Sequence, residues 1–240
     1  MLLFEFLIIT LLIFFQSIFG IGLLLFGTPT FLLLGYNFLE VLNLLLPTSV
    51  TISLMQFFSS KTKNEKFKNN FNLYCLPFLV ISLYLLIKNI SNINLEIYIA
   101  LIIIFFAAVS LNKKNIKFLK NFTPIKQKLL LSLLGVIHGL TNLGGSFLTV
   151  LSSAINGNDK HKIRYCISYG YLMMGILQIL ILYFFSDNHV KMINLAYIAL
   201  VFLIYFPTQK IFSNFKDKKF SKFLNILALF YGVVILIKNI

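Results

Sequence analysis

Two apolar stretches of this chain, 2–34 and 129–155, are longer than one membrane crossing needs, and each is interrupted near its middle by glycine-rich sequence. The interruptions read FGIG (Phe19 to Gly22) and GLTNLGGS (Gly139 to Ser146). A crossing helix uses about 20 residues, and each internal glycine costs a continuous helix about 1 kcal/mol. Backbone groups exposed to lipid have no water to bond, so such breaks persist only where they face protein or a water-filled cavity. Each stretch is therefore expected to be a broken helical hairpin with its break turned inward.

The rest of the chain has the same character. Further apolar runs fall at 38–58, 71–87, 95–111, 165–185, 192–207 and 223–237, separated by short stretches rich in Lys and Asn. None alternates apolar with polar residues as a barrel strand does, so all are expected to be helices. The chain is 59% hydrophobic and 12% charged, whereas soluble domains run at about 45–50% and 25%. The expected class is an all-α polytopic membrane protein with no room for a soluble domain. With three His, seven acidic residues and two Cys, a metalloenzyme, a nucleotide-driven pump and a disulfide-built domain are all disfavoured, and no cofactor or metal is expected. Cys75 and Cys166 sit in apolar sequence and read as small buried hydrophobes. The amino terminus lacks the basic start and cleavage pattern of a signal peptide and is expected to belong to the mature chain.

A net charge of +14 would suggest nucleic acid in a soluble protein, but in a polytopic one it is what the positive-inside rule produces, so no nucleic-acid partner is expected. All but three of the 21 basic residues lie in 59–70, 112–128, 156–164 and 208–222; the exceptions are Lys88, Lys191 and Lys238. Placing the four basic segments together in the cytoplasm makes 129–155 leave and return on one side, and 2–34 becomes a hairpin from the other. Each arm of 129–155 is then expected to span 12–15 residues, or roughly 20 Å, enough to pass the midplane of a bilayer core without comfortably crossing it. Two repeats result. Residues 1–111 hold the hairpin 2–34 and spans 38–58, 71–87 and 95–111; 112–128 is a basic linker; 129–240 hold the hairpin 129–155 and spans 165–185, 192–207 and 223–237. Three spans per repeat invert the second against the first, as in many secondary transporters. The competing topology, with both long stretches crossing once, would put Lys210, Lys216, Lys218, Lys219 and Lys222 outside.

Corresponding breaks point to a substrate site, because half-helix N-termini present unpaired N–H groups and a positive dipole end near the midplane. The candidates are Gly20, Gly22 and Thr28 in the first hairpin and Thr141, Asn142, Gly144, Gly145 and Ser146 in the second. No Lys or Arg is expected at membrane depth, so a small anion held by amides and hydroxyls fits best. Close helix packing is the competing reason for the glycines. Thr48 and Ser49 follow Pro47 mid-span, and Ser168 stands one helix after the second break. His138, next to that break, is a candidate for binding an oxyanion or relaying protons, which makes protons a candidate coupling ion; a plain helix contact is its alternative. Gln16, Gln56 and Gln178 either line a pathway or bond neighbouring helices. Glu5 and Glu40 are expected to be solvated at the outer interface, and Tyr36, Tyr98 and Tyr165 to be interfacial anchors.

At these breaks the sequence resembles the sulfite exporter TauE/SafE family of membrane permeases. That family carries a motif of the form G-x-G-G-G-x-x-x-x-P near the start of each half and a small residue with Thr-Ser further on. Gly20 to Pro29 keeps the first two glycines and the proline, Pro47 to Ser49 stands where the family has Thr-Ser, and Gly135, Gly139, Gly144 and Gly145 carry the second half. Leu23, Leu24, Asn142, Ser146 and Leu151 depart from the pattern. The resemblance implies a permease for sulfite or small organosulfur anions in a cytoplasmic membrane. The alternatives are a passive channel-like or scaffold subunit, and an intramembrane enzyme. The last would need His138 with Ser146 or Thr141 and an acidic partner that the sequence does not offer, so no enzyme is expected. Oligomeric state is not legible.

Overall fold

A computed structural model describes residues 2–89, 124–156, 159–186 and 193–214. Spans 95–111 and 223–237, residues 112–123 of the linker and Tyr98 lie outside them. Every element among the described residues is a helix: α1 Leu2–Phe19, α2 Leu23–Leu33, α3 Phe38–Ser59, α4 Glu65–Tyr74, α5 Leu76–Asn89, α6 Pro124–Thr141, α7 Gly144–Asn156, α8 Lys160–Phe185 and α9 Ile193–Asn214. Four are long and apolar enough to cross a membrane: Phe38–Ser59, Glu65–Asn89 (α4 continuing into α5), Lys160–Phe185 and Ile193–Asn214.

Polar caps start several helices, and at α4 and α8 they do so before the apolar run begins. Asn37 and Glu40 form a reciprocal capping box on α3, Asn64 accepts from Phe67 N–H on α4, and Asp159 accepts from the N–H groups of His161 and Lys162 on α8. Each satisfies amides that the first turn leaves without partners. Lys162 N–H, more than the desolvation opposing it, holds the Asp159 carboxyl below the usual carboxylate range. Helix α6 likewise starts at Pro124 and takes in Lys126 and Lys128. The first arm of the second hairpin is therefore 18 residues long, about 27 Å, longer than the sequence suggested and equal in length to α1. The returning arms are 11 and 13 residues.

Directions follow from which residues meet. Helix α2 returns along α1: Gly27 lies against Leu12, and the Tyr36 hydroxyl donates to Glu5 at 2.7 Å. Helix α3 runs antiparallel to α8, with Phe57 stacked on Tyr165 and Val50 against Gly175. Helix α9 runs parallel to α1, since Tyr197 donates to Glu5 and Gln209 to the Ser17 carbonyl. Helix α6 runs parallel to α5, Gly135 facing Cys75 and Gly139 facing Ser82. At both places a Cβ would collide with the facing atoms, so these two glycines serve close packing. Helix α7 runs antiparallel to α8, with Leu148 at Gly170 and Asn156 at Cys166. Both cysteines are free and buried.

Three basic segments meet at one end of the bundle. Thr62 bonds the His161 carbonyl, Asn64 bonds Asn156, and Lys160 donates to the Ser213 carbonyl. The far end is closed differently. Glu5 is not solvated there; it is 9% exposed and accepts from Tyr36 and Tyr197 at 2.7 Å each. Two hydroxyl donors satisfy the carboxylate, which burial without partners would destabilise strongly. Tyr165, expected at the interface, is 3% exposed and stacks inside.

Proline placement supplies a further tie. Pro47 has no N–H for the Asn43 carbonyl one turn earlier, and the Asn194 amide from α9 donates to that carbonyl at 2.7 Å. An orphaned acceptor in one helix thus becomes a bond to another.

Candidate functional site at two helix breaks

The first break turns on two glycines. Gly20 has φ +79° and Gly22 φ +146°, the left-handed half of the map that side-chain-bearing residues seldom enter. Helix α1 stops there, so the Ser17 carbonyl loses its helical donor. Three side chains replace it: Arg164 Nη2 donates at 2.9 Å, and Gln56 and Gln209 amides at 3.3 Å each. Gln56 also donates to the Gln16 carbonyl at 2.7 Å. On the far side of the break, the Leu23 N–H that opens α2 donates to Gln16 Oε1 at 3.2 Å. Gln16 is held in turn by Ser49, its amide donating to Ser49 Oγ at 2.9 Å.

The second break repeats the plan with other residues. Asn142 takes the place of Gly20, at φ 60°, a conformation Asn tolerates better than most side chains. His138 takes the place of Gln16: the Gly144 N–H that opens α7 donates to His138 Nδ1 at 3.1 Å. That bond leaves the ring proton on Nε2, which lies 3.2 Å from Gln178 Oε1. Gln178 donates at 3.4 Å to Asn142 Oδ1, and Asn142 Nδ2 donates at 2.9 Å to Thr28 Oγ1 of the first hairpin. His138, Asn142, Gln178 and Thr28 are each fully buried. One chain of bonds therefore joins α2, the second break and α8.

The remaining candidates divide. Ser49 belongs to the first network. Thr141 bonds the Ile137 carbonyl and accepts from Leu143 N–H, closing the turn. Ser146 bonds the Leu143 carbonyl. Gly145 leaves room for the Tyr171 hydroxyl, which occupies the place a Cβ would take. Thr48 Oγ1 and Tyr171 Oη are buried without a hydrogen-bond partner, each costing about 1–3 kcal/mol if left so. Ser168 bonds only the Tyr165 carbonyl of its own helix and is not drawn into either network.

Two expectations change. The first amide of each returning arm is not bare, because a side chain of the preceding arm already caps it. An arginine does reach the first break: Asp159 starts α8 early enough that Arg164 stands a turn inside it, its Cγ 3.6 Å from where a Gly20 Cβ would be. Sequence reasoning assigned Arg164 to a loop; the Asp159 cap was the signal that would have moved it. Gln209, Tyr171 and Glu5 were missed as well, since Gln209 and Glu5 acquire their partners, and Tyr171 its place against Gly145, from distant sequence.

The Arg164 side of the first break opens to a cavity of about 560 Å³ at the basic end, walled by α3, α8, α9 and the turn after α3. Among the described residues no cluster of His, Cys, Asp or Glu could hold a metal. No curated protein and no solved structure matches the chain. The glycine motifs at these two breaks are what made the sequence resemble a permease family, and that family is the one found: the model for the sulfite exporter TauE/SafE family matches residues 5–235, nearly the whole chain, and the protein belongs to that family of membrane transporters.

Proposed function

We propose that the protein is a secondary permease for sulfite or a small organosulfur anion, bound between the N-termini of α2 and α7. The observation that carries this is the Asn142–Thr28 bond, which brings the two broken hairpins into direct contact inside the protein. Both helix N-termini there are buried, and their dipoles favour an anion over a cation. The partnerless Thr48 and Tyr171 hydroxyls are further donors at the same depth. Gly20, Gly22, Thr28, Thr48, Ser49, His138, Thr141, Asn142, Gly144, Gly145 and Ser146 make up the proposed site.

The repeats are inverted in this reading. Its support is that contacts recur when the halves are exchanged. Helix α1 lies along α9 of the other half and α6 along α5, α2 packs on α3 and α7 on α8, and α3 meets α8. His138, Asn142 and Gln178 also stand at the same offset from Gln16, Gly20 and Gln56. The end that gathers the basic segments faces the cytoplasm by the positive-inside rule. Alternating access then comes from one half rocking against the other, with protons as the candidate coupling ion and the lipid bilayer as the surrounding partner.

Uptake of labelled sulfite, sulfate, thiosulfate and a small sulfonate into proteoliposomes, with and without a pH gradient, tests the function. Saturable flux of at least one sulfur oxyanion is expected. Flux that never saturates would instead support a passive channel, and no flux at all a scaffold. An introduced cysteine at Ser213 should stay unlabelled by an impermeant reagent outside intact cells; labelling there would reject the orientation.

A further inference from the structure

The cavity at the basic end carries an inference that rests on the transporter reading and deepens it. Gln56, Lys61, Asp159, His161, Arg164 and Gln209 are among its walls. Arg164 presents its guanidinium from α8, and its neighbours there are neutral: the Ser17 carbonyl, Gln209 Oε1 at 2.8 Å, the Tyr205 hydroxyl and the Phe212 ring at 4.1 Å. The ion pairs among the described residues are Lys68 with Glu65 and Lys162 with Asp159, and neither involves Arg164. With the Asp159 carboxylate held by Lys162, a half-buried cation whose own acceptors are neutral is a place that an anion stabilises.

Two polar atoms define what kind of anion. Arg164 Nε is buried without an acceptor, and Gln56 Oε1 is buried without a donor. Both residues flank Gly20, with Arg164 Cγ and Gln56 Oε1 each 3.6 Å from the position its Cβ would take. The Gln56 amide cannot be reversed to remove the mismatch, because its Nε2 is committed to the Gln16 and Ser17 carbonyls. The first break is therefore flanked by an unused acceptor and by the side chain of a cation that keeps an unused donor. A dianion satisfies the donor and repels the acceptor; an anion that retains one hydrogen satisfies both.

We infer that this cavity is a vestibule in which Arg164 takes the charge of a small, singly protonated oxyanion, such as hydrogensulfite, and Gln56 Oε1 takes its hydrogen, ahead of transfer to the paired breaks. An anionic lipid headgroup offers similar charge, so the test separates the two sources. The chain has no tryptophan, and Phe212→Trp puts a single indole against Arg164. The full-length protein carrying that reporter is titrated with sulfite, with sulfate, which holds no hydrogen at neutral pH, and with short-chain phosphatidylglycerol. Sulfite should give a saturable change in emission, and sulfate should bind at least about tenfold more weakly. Arg164→Gln and Arg164→Lys should each weaken sulfite about tenfold or more, since lysine keeps the charge but lacks the planar fork. If Arg164→Gln does not yield folded protein, Arg164→Lys decides alone. Unchanged affinity in a folded variant, sulfate binding as tightly as sulfite, or a response to the lipid alone would overturn the vestibule. Wild-type flux measured in parallel keeps the two readings apart. Flux with Arg164-independent binding removes only the vestibule; Arg164-dependent binding without flux removes only the transporter.

Discussion

The two helix breaks solve one problem with different chemistry. Each stops a helix at a left-handed residue and caps the returning arm with a side chain four residues upstream of that residue. In the first break the left-handed residue is Gly20 and the cap is Gln16; in the second they are Asn142 and His138. The surroundings differ more. The first break is flanked by Arg164, Gln56 and Gln209 and adjoins the cavity, while the second packs against Tyr171 and bonds to Gln178. A common backbone plan thus carries a charged, open setting on one side and a neutral, closed one on the other. Breaking a helix requires only local geometry, whereas the ligand a break receives depends on what the other half brings to it.

The comparison is broken most severely at the left-handed residues. Asn142→Val should strain the backbone by about 1–2 kcal/mol and strand Thr28 and Gln178, each worth about 1–3 kcal/mol; loss of flux with a clearly lower melting temperature is the expected result. Gly20→Asn, which copies the second break into the first, should be tolerated far better than Gly20→Val, because the neighbours of a Cβ there sit at 3.5–3.6 Å. Equal damage from both would show that conformation is not what glycine supplies.

The caps come next. Gln16→Ala and His138→Ala should each cost about 1–3 kcal/mol through an orphaned amide, measured as a drop in thermal midpoint. His138→Gln, which installs the first break's own solution, should recover most of that loss. It also tests proton coupling: flux that still responds to a pH gradient in His138→Gln removes His138 from the coupling mechanism.

The smallest effect is expected far from either break. Asp159→Ala should cost about 1 kcal/mol, the usual worth of an N-cap. Because the folded carboxyl titrates below its ordinary range, the wild-type advantage is present at neutral pH and lost as pH falls through that lowered value. A difference between the two proteins that grew on acidification would contradict the cap.

Much of this architecture could be read from the residues in order. Long apolar runs in lipid have to be helices, so the helical character of the described runs followed from composition, and glycine clusters marked both breaks because only they leave a helix so cheaply. Helix ends were harder. Asn64 and Asp159 extend α4 and α8 beyond the apolar runs, since a helix begins at a cap and not at the first hydrophobic residue. Of the site, the break residues were legible and their partners were not. Gln178 reaches Asn142 and Arg164 reaches Ser17 across long separations, and no local pattern encodes such meetings.

The sequence by itself therefore determined an all-helical membrane protein, the location of both breaks and the clustering of positive charge, all consequences of local hydrophobicity and backbone freedom. Only the tertiary structure decided that Gln16 and His138 occupy the first amides, that Glu5 is buried between two tyrosines, and that Arg164 stands at the first break. Hydrogen-bond partners are chosen by which helices pack together, and packing brings together residues that the order of the chain keeps apart.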